Sequence, residues 1–242
     1  MEIDFLKQIV KEAEKISQQD YTVHTKGSGS DLVTNLDLEI EKFLIGQIKK
    51  KYPSYDIVSE EFNTDGKVTD NCFVIDPIDG TVNFANGLPI WGIQIACRSD
   101  GETVASVIDL PKLGEFYYAD ASGAYLNGKK ISAHEVPIKN AIYSIIGHDS
   151  LADETMDWPE YTRMRKYSSN SRNFGAACAT FAYVACGRIH GVNFRVKHPW
   201  DYEPGLFLCK MAGAKTINEQ GCHAAAMNQD FLDILKKETT LQ

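Results

Sequence analysis

The sequence predicts a mixed fold of the α+β to layered α/β class, in which a meander of antiparallel strands precedes an alternation of strands and helices. Three observations carry that reading. The β-rich runs Trp91 to Arg98, Thr103 to Leu110 and Glu115 to Ala119 are punctuated by Asp100 with Gly101 and by Leu113 with Gly114, short turns of the kind that join antiparallel neighbours. From Ile142 onward, β-rich and helix-patterned segments alternate. The 242 residues, 43% of them hydrophobic, suffice to bury a sizeable core in one large domain or two lobes. A soft boundary near 135 separates an N-terminal α+β lobe, 1–135, from a C-terminal α/β lobe, 136–242.

Element by element, Phe5, Leu6, Ile9, Val10, Ala13 and Ile16 recur at helical spacing and predict a helix from about Asp4 to Gln18. Lys26 to Ser30, KGSGS, reads as a flexible loop. Ser30 or Asp31 is then placed to cap a second helix with the apolar face Leu36, Ile40, Phe43, Leu44 and Ile48, flanked by Asp37 and ended by Pro53. Asp56 to Ser59 reads as a short strand, and Glu60 with Glu61 opens a polar loop to Asn71. The apolar run Phe73 to Ile75 is a strand expected to stop at Asp76, because Pro77 disfavours helix at the residue before it. Beyond the meander, Asn127 and Gly128 mark a tight turn, and Ile131 to Asn140 is irregular. The alternating part is predicted as strand Ile142 to Gly147, helix near Ala152 to Met164, strand Arg165 to Ser168 and helix Ala176 to Cys186. Strand Ile189 to Asn193, helix Tyr202 to Met211, strand Ala214 to Ile217 and a terminal helix from about Gln229 follow. No internal repeat or low-complexity segment is visible.

Lys plus Arg number 25 against 33 Asp plus Glu, a net charge of −8, which argues against a nucleic acid polymer or an anionic membrane as partner. The N-terminal stretch MEIDFLKQIVKEAEK alternates charged and apolar residues, so it reads as neither a signal peptide nor a membrane span, and a cytoplasmic location is expected. Cysteines at 72, 97, 178, 186, 209 and 222 form no CxxC pair, which disfavours zinc and disulfide frameworks and leaves reduced, mostly buried thiols.

The chemistry concentrates in FVIDPIDGTVNF, residues 73 to 84, where Asp76 and Asp79 sit three apart. From Asp70 through Cys97 there is no Lys or Arg to balance them, and like charges crowded together cost energy. A bound cation relieves that cost. Mg²⁺ takes a few carboxylates plus water and substrate oxygens, which suits acids at a strand end and in the turn after it. Gly80 and Thr81 follow at once, and their backbone N–H groups favour an anion such as phosphate. Metal and phosphate sites would then adjoin, the arrangement that phosphoryl transfer to water requires, with Thr81 placed to orient the water.

Four motifs in order make the resemblance specific: Asp31 to Thr34 with Asp37; Ser59, Glu60 and Glu61; Asp76 to Thr81 with Asn83 and Phe84; and Pro199, Trp200 and Asp201 before Gly205. Over nearly its whole length the chain resembles the inositol monophosphatase family of metal-dependent, lithium-sensitive sugar phosphatases, whose fold stacks alternating layers of helices and sheet. The resemblance implies that Glu60, Asp76 and the Ile78 carbonyl bind one Mg²⁺, that Asp76, Asp79 and Asp201 bind a second, and that a third sits loosely on Glu60. It implies a nucleophilic water between the first ion, Glu60 and Thr81, supported by Asp37, and no covalent phosphoenzyme. Asp201 would hold the water that protonates the leaving alkoxide. Asp79, Gly80 and Thr81 would contact the phosphate, and Gly175, Ala176 and Ala177 the rest of the substrate. A homodimer is implied as well.

One departure bears on substrate choice. Seven residues before Asp201, where inositol phosphatases carry a glutamate for ring hydroxyls, this chain has Phe194. An aromatic ring there would offer a flat apolar wall, with Arg195 and Lys197 placed for a second anionic group. The substrate expected is a small phosphorylated polyol or sugar, inositol 1-phosphate by default. Histidinol phosphate, fructose 1,6-bisphosphate and a 3′-phosphonucleotide are the alternatives, and a non-catalytic regulator of the same fold is the reading from another class. Taken singly, several residues have plainer roles: Glu60 and Glu61 in a solvated loop, Asp201 as a helix N-terminal charge, Asp31 and Thr34 as caps, Asp37 as a surface acid. Lys26 reads as a mobile loop lysine, Trp200 and Phe194 as packing, and His198 as structural.

Overall fold

The apolar stripe near the N-terminus forms α1, Glu2–Ile16, which buries Leu6, Ile9, Val10 and Ala13 on one face. The structure is a computed structural model that describes residues 2–25, 32–146, 158–195, 198–219 and 222–239. Strands β1, Val23–Thr25, and β2, Leu32–Thr34, pair antiparallel and lead into α2, Asn35–Lys51. The expected caps Ser30 and Asp31 lie outside the described residues, as does Lys26, and the N-cap of α2 is Thr34. Thr34 and Asp37 form a capping box: the threonine hydroxyl accepts from the Asp37 N–H and the aspartate accepts from the Thr34 N–H.

The first sheet contains β3, Asp56–Ser59; β4, Cys72–Asp79; β5, Gly92–Ser99; β6, Glu102–Leu110; β7, Glu115–Asp120; β8, Gly123–Leu126; and β9, Lys129–Ile131, in spatial order β3 to β9. The short helix α3, Thr81–Ala85, follows β4. Only β3 and β4 run parallel; the rest is the predicted meander. Two of its two-residue turns have both central residues at positive φ, Asp100 (53°) with Gly101 (83°) and Asn127 (49°) with Gly128 (81°), which matches the right-handed twist of a hairpin. Contrary to expectation, β4 does not stop at Asp76. It continues to Asp79, with a register break between Asp76 and Asp79 where Pro77 has no N–H to give the ladder.

The second sheet has the order β11-β10-β12-β14-β13, from β10, Ile142–Ile146; β11, Asn170–Ser171; β12, Gly191–Phe194; β13, Lys215–Glu219; and β14, Cys222–Ala226. Four helices accompany it: α4, Trp158–Met164; α5, Ala177–Ala185; α6, Pro199–Met211; and α7, Gln229–Thr239. The expected strand Arg165 to Ser168 is instead the turn that closes α4, since the N–H groups of Arg165, Tyr167 and Ser168 bond back to Tyr161 and Met164. The part of that helix before Trp158 lies outside the described residues. Strand β14 was not expected, because Cys-His-Ala-Ala-Ala has little β propensity; its pairing with β12 and β13 outweighs the local preference.

Three cores stack these elements into alternating layers. Leu6, Ile9, Leu36, Ile40 and Leu44 of α1 and α2 cover one face of the first sheet at Phe73, Ile75, Ile93 and Val107. On its other face, Ile108, Leu110 and Tyr117 meet α5 and α6, which in turn pack on Val192 and Ala225 of the second sheet. The far face of that sheet, Tyr143, Ile145, Ala224 and Ala226, is covered by Met164 of α4 and by Phe231 and Leu235 of α7. The order helices, sheet, helices, sheet, helices is the layered class predicted. All six cysteines are free thiols, four of them buried. No helix among the described residues is long and apolar enough to cross a membrane.

Candidate active site

The register break in β4 sets the site. Asp76 lies opposite Gln94 of β5, on the face turned toward α5 and α6, and the irregular step through Pro77 brings Asp79 to the same place. Asp201 comes from the first turn of α6, where Pro199 follows His198 at the N-cap and the His198 ring stacks on Trp200 at 4.6 Å. Carboxylate oxygens of Asp76, Asp79 and Asp201 lie within 4.8 Å of one another. Glu60 is delivered beside them by the parallel pairing of β3 on β4, which sets Ser59 against Ile75.

Asp76 is 1% exposed, and its Oδ1 is a buried oxygen with no hydrogen-bond donor among the described residues, while Oδ2 lies 3.4 Å from the Gln94 amide. Burial, then the charges of Glu60, Asp79 and Asp201, hold its carboxyl well above the ordinary aspartate range. Either a proton or a cation must relieve such a group. Oxygen-only donors, one of them orphaned, suit a hard divalent ion such as Mg²⁺, so the residues present fit the metal that the sequence implies.

Gly80 turns the chain at φ 85°, and a Cβ there would lie 3.0 Å from the Ala176 Cβ and 3.2 Å from the Ile90 carbonyl oxygen. The loop before α5 therefore touches the acidic turn directly. Gly175, also at positive φ, backs onto Asn83, whose amide donates to the carbonyls of Ile90 (2.6 Å) and Phe174 (2.8 Å). The Cys178 N–H donates to Asp79 Oδ2 at 2.6 Å, a tie between α5 and the acids that no sequence signal announces. Ala176 and Ala177 are buried, so they can offer a ligand little beyond backbone. A cleft of about 420 Å³ opens beside them between Asn83, Leu88, Ile90, Phe174 and Gly175. Another hollow, about 300 Å³ between Arg98, Thr103, Glu203 and Lys210, contains none of the predicted residues.

Asp37 is fully buried rather than a surface acid. Its Oδ2 takes the Thr34 N–H at 2.8 Å, and its Oδ1 lies 3.4 Å from the Thr81 hydroxyl, which is also 2.9 Å from the Ile78 carbonyl. Thr81 has one proton for those two acceptors, and the shorter contact is the one to the Ile78 carbonyl. Two expectations about substrate contacts meet a different geometry. Phe194 does not line the site: it is 5% exposed and packs 5.9 Å from Phe181 in the core. Arg195 is bound to buried Glu160, with both of its terminal nitrogens 2.7 Å from that carboxylate. Lys197 lies outside the described residues. Sequence reasoning also passed over Glu41, although an acid on the buried face of a helix, one turn after Asp37, is itself a signal.

Comparison with known proteins places this geometry among relatives. Residues 3–239 match the inositol monophosphatase family. A fructose-1,6-bisphosphatase/inositol-1-monophosphatase of Thermotoga maritima is 34% identical over 87% of this chain and 80% of its own length. The Nus factor SuhB of Escherichia coli is 33% identical over 82% of this chain and 75% of its own length. Among solved structures, an inositol monophosphatase of Thermotoga maritima superposes with a TM-score of 0.82 at 27% identity, covering 97% of this chain and 95% of that one.

Proposed function

This chain belongs to the inositol monophosphatase family and is a phosphomonoesterase of that kind, and from that premise we propose a Mg²⁺-dependent hydrolase of a small phosphorylated polyol or sugar. The observation that carries the metal dependence is the Asp76 carboxylate, buried among other acids with an oxygen that no described residue donates to. Glu60, Asp76 and the Ile78 carbonyl would hold one ion, Asp76, Asp79 and Asp201 a second, and Glu60 a looser third. Bound there, the ions supply charge neutralisation for the phosphoryl oxygens and a lowered pKa for water.

The chain's own groups do the rest. Thr81, held by Ile78 and Asp37, orients the attacking water together with Glu60. The amides of Gly80 and Thr81 receive phosphate oxygens. Asp201 holds the water whose proton goes to the leaving alkoxide. The backbone at Gly175, Ala176 and Ala177 meets the remainder of the substrate, with the adjoining cleft to receive it. Arg195 is left out of that list because Glu160 engages it. Inositol 1-phosphate remains the default substrate, and the Thermotoga maritima relative's description adds fructose 1,6-bisphosphate as the first alternative. A homodimer, inhibition by lithium and a cytoplasmic location belong to the same proposal. Similarity to a Nus factor favours one second reading, a regulator of the same fold.

Phosphate release from inositol, histidinol, fructose and 3′-nucleotide phosphates, each with Mg²⁺ and with chelator, tests the reading. Chelator-sensitive release concentrated on one substrate is expected. No release from any of them favours the regulator.

A further inference from the structure

Glu41 lies on α2 one turn after Asp37, with none of its surface exposed, although an ionisable side chain is costly to bury without strong donors. Its donors come from one short stretch. Oε1 accepts from the Ser59 hydroxyl at 2.5 Å and from the Phe62 N–H at 2.8 Å, and Oε2 accepts from the Glu61 N–H at 2.8 Å. Ser59, Glu61 and Phe62 bracket Glu60, so the backbone is tethered on both sides of the residue that the proposed reaction uses. Ser59 Oγ in turn accepts from the Asn63 amide at 3.1 Å, which closes the loop on itself.

The helix thus turns two buried acids, four residues apart, toward two separate loops: Asp37 reaches Thr81, and Glu41 reaches the Glu60 loop. We infer that Glu41 is a positioning residue, whose carboxylate fixes the Glu60 loop and thereby sets the affinity of the site for Mg²⁺ without touching ion or substrate. The inference rests on the reading of Glu60 as a metal ligand. Only a carboxylate suits the place, because both of its oxygens accept. A glutamine of equal size would set its NH₂ against one of the loop's donors.

The test is calorimetric titration of the chain with Mg²⁺ alone, with thermal unfolding in chelator measured beside it. Glu41→Gln is expected to weaken Mg²⁺ binding about tenfold, on the scale seen when groups that orient metal ligands are removed. Ser59→Ala, which deletes one tether and keeps the carboxylate, is expected to fall between Glu41→Gln and the unaltered chain. Glu60→Gln serves as the reference. If Glu41→Gln lowers the unfolding midpoint but binds Mg²⁺ within twofold of the unaltered chain, while Glu60→Gln loses binding, Glu41 serves stability alone and the inference is overturned. If Glu60→Gln also binds as before, the reading of the site fails and carries this inference with it. Should Glu41→Gln not fold, hydrogen exchange in the unaltered chain decides. The Glu61 and Phe62 amides are expected to exchange far more slowly than those of Lys67 and Val68 in the same connection, and equal rates overturn the proposal.

Discussion

Asp76 and Glu203 are both buried acids on elements that face each other across the same core, yet their surroundings are opposite. Glu203, on α6, is 5% exposed and receives the Arg98 guanidinium at 2.5 Å and the Thr103 hydroxyl at 2.7 Å. Asp76, on β4, has the Gln94 amide at 3.4 Å and the acids Glu60, Asp79 and Asp201 around it. Glu160 with Arg195 repeats the first pattern. A structural acid comes with its donors, whereas Asp76, with other acids around it and a buried oxygen that has no donor among the described residues, is complete only when a ligand arrives. The surroundings, more than the residue type, separate a packing device from a chemical one.

The largest test of that contrast removes the charge of Asp76. Asp76→Asn resembles the protonated acid that burial favours, so the metal-free variant is expected to melt higher than the unaltered chain, by at least about 2 °C, equivalent to ~1 kcal/mol for a chain of this size. Its phosphatase activity should fall by ~10³-fold or more, since a bound metal contributes several kcal/mol of transition-state stabilisation. Thermal scans in chelator and assays in Mg²⁺ read the two effects separately. A lower midpoint would mean that the fold needs this charge, and the contrast with Glu203 would dissolve.

The converse change breaks a satisfied acid. Arg98→Met leaves Glu203 buried without its cation, which costs about 2–3 kcal/mol, reduced from the full value for a buried pair because the Arg98 side chain is 20% exposed. Urea unfolding measures it. Adding Glu203→Gln should restore more than half of the loss, and failure to do so would place the stabilisation in the packing of Arg98 rather than in the pair.

What the sequence made legible follows the same division between local and distant causes. The α1 stripe, the turns at Asp100 and Asn127 and the acids of DPIDGT are patterns contained in a few consecutive residues, and the structure reproduces the elements they predict. Pro77 misled, because a register break lets a strand continue past a residue that cannot donate. Strand β14 was hidden because its alanines are selected by the helices packed on both sides, and Thr34 displaced the expected caps because β2 delivers the chain there. Phe194 faces the core because of a strand phase that only the pairing of β12 with β10 and β14 fixes. Arg195 and Glu160 are 35 residues apart, and so is no pattern that a local reading can see. The same holds for the Cys178 amide on Asp79.

Asp109 stands between the two extremes, and its pH dependence sharpens the comparison most finely. It is 1% exposed, with the half-exposed Lys11 ammonium at 3.2 and 3.4 Å from its two oxygens and Glu14 close by on the same helix turn. Lys11 also lies 4.3 Å over the Phe116 ring, so the cation is shared. Burial outweighs this partial partner and pushes the Asp109 carboxyl up to about 7. The sign follows directly: the folded chain keeps a proton that the unfolded chain releases near pH 3.8, so stability is full below that value and falls as pH rises toward about 7. The slope is on the order of 1 kcal/mol per pH unit. Urea midpoints between pH 4.5 and 7.5 should therefore decline in the unaltered chain and decline less steeply in Asp109→Asn, where the raised Asp76 carboxyl still contributes with the same sign. An undiminished slope in the variant would assign the titration elsewhere and show that one exposed lysine satisfies a buried carboxylate as fully as Arg98 satisfies Glu203.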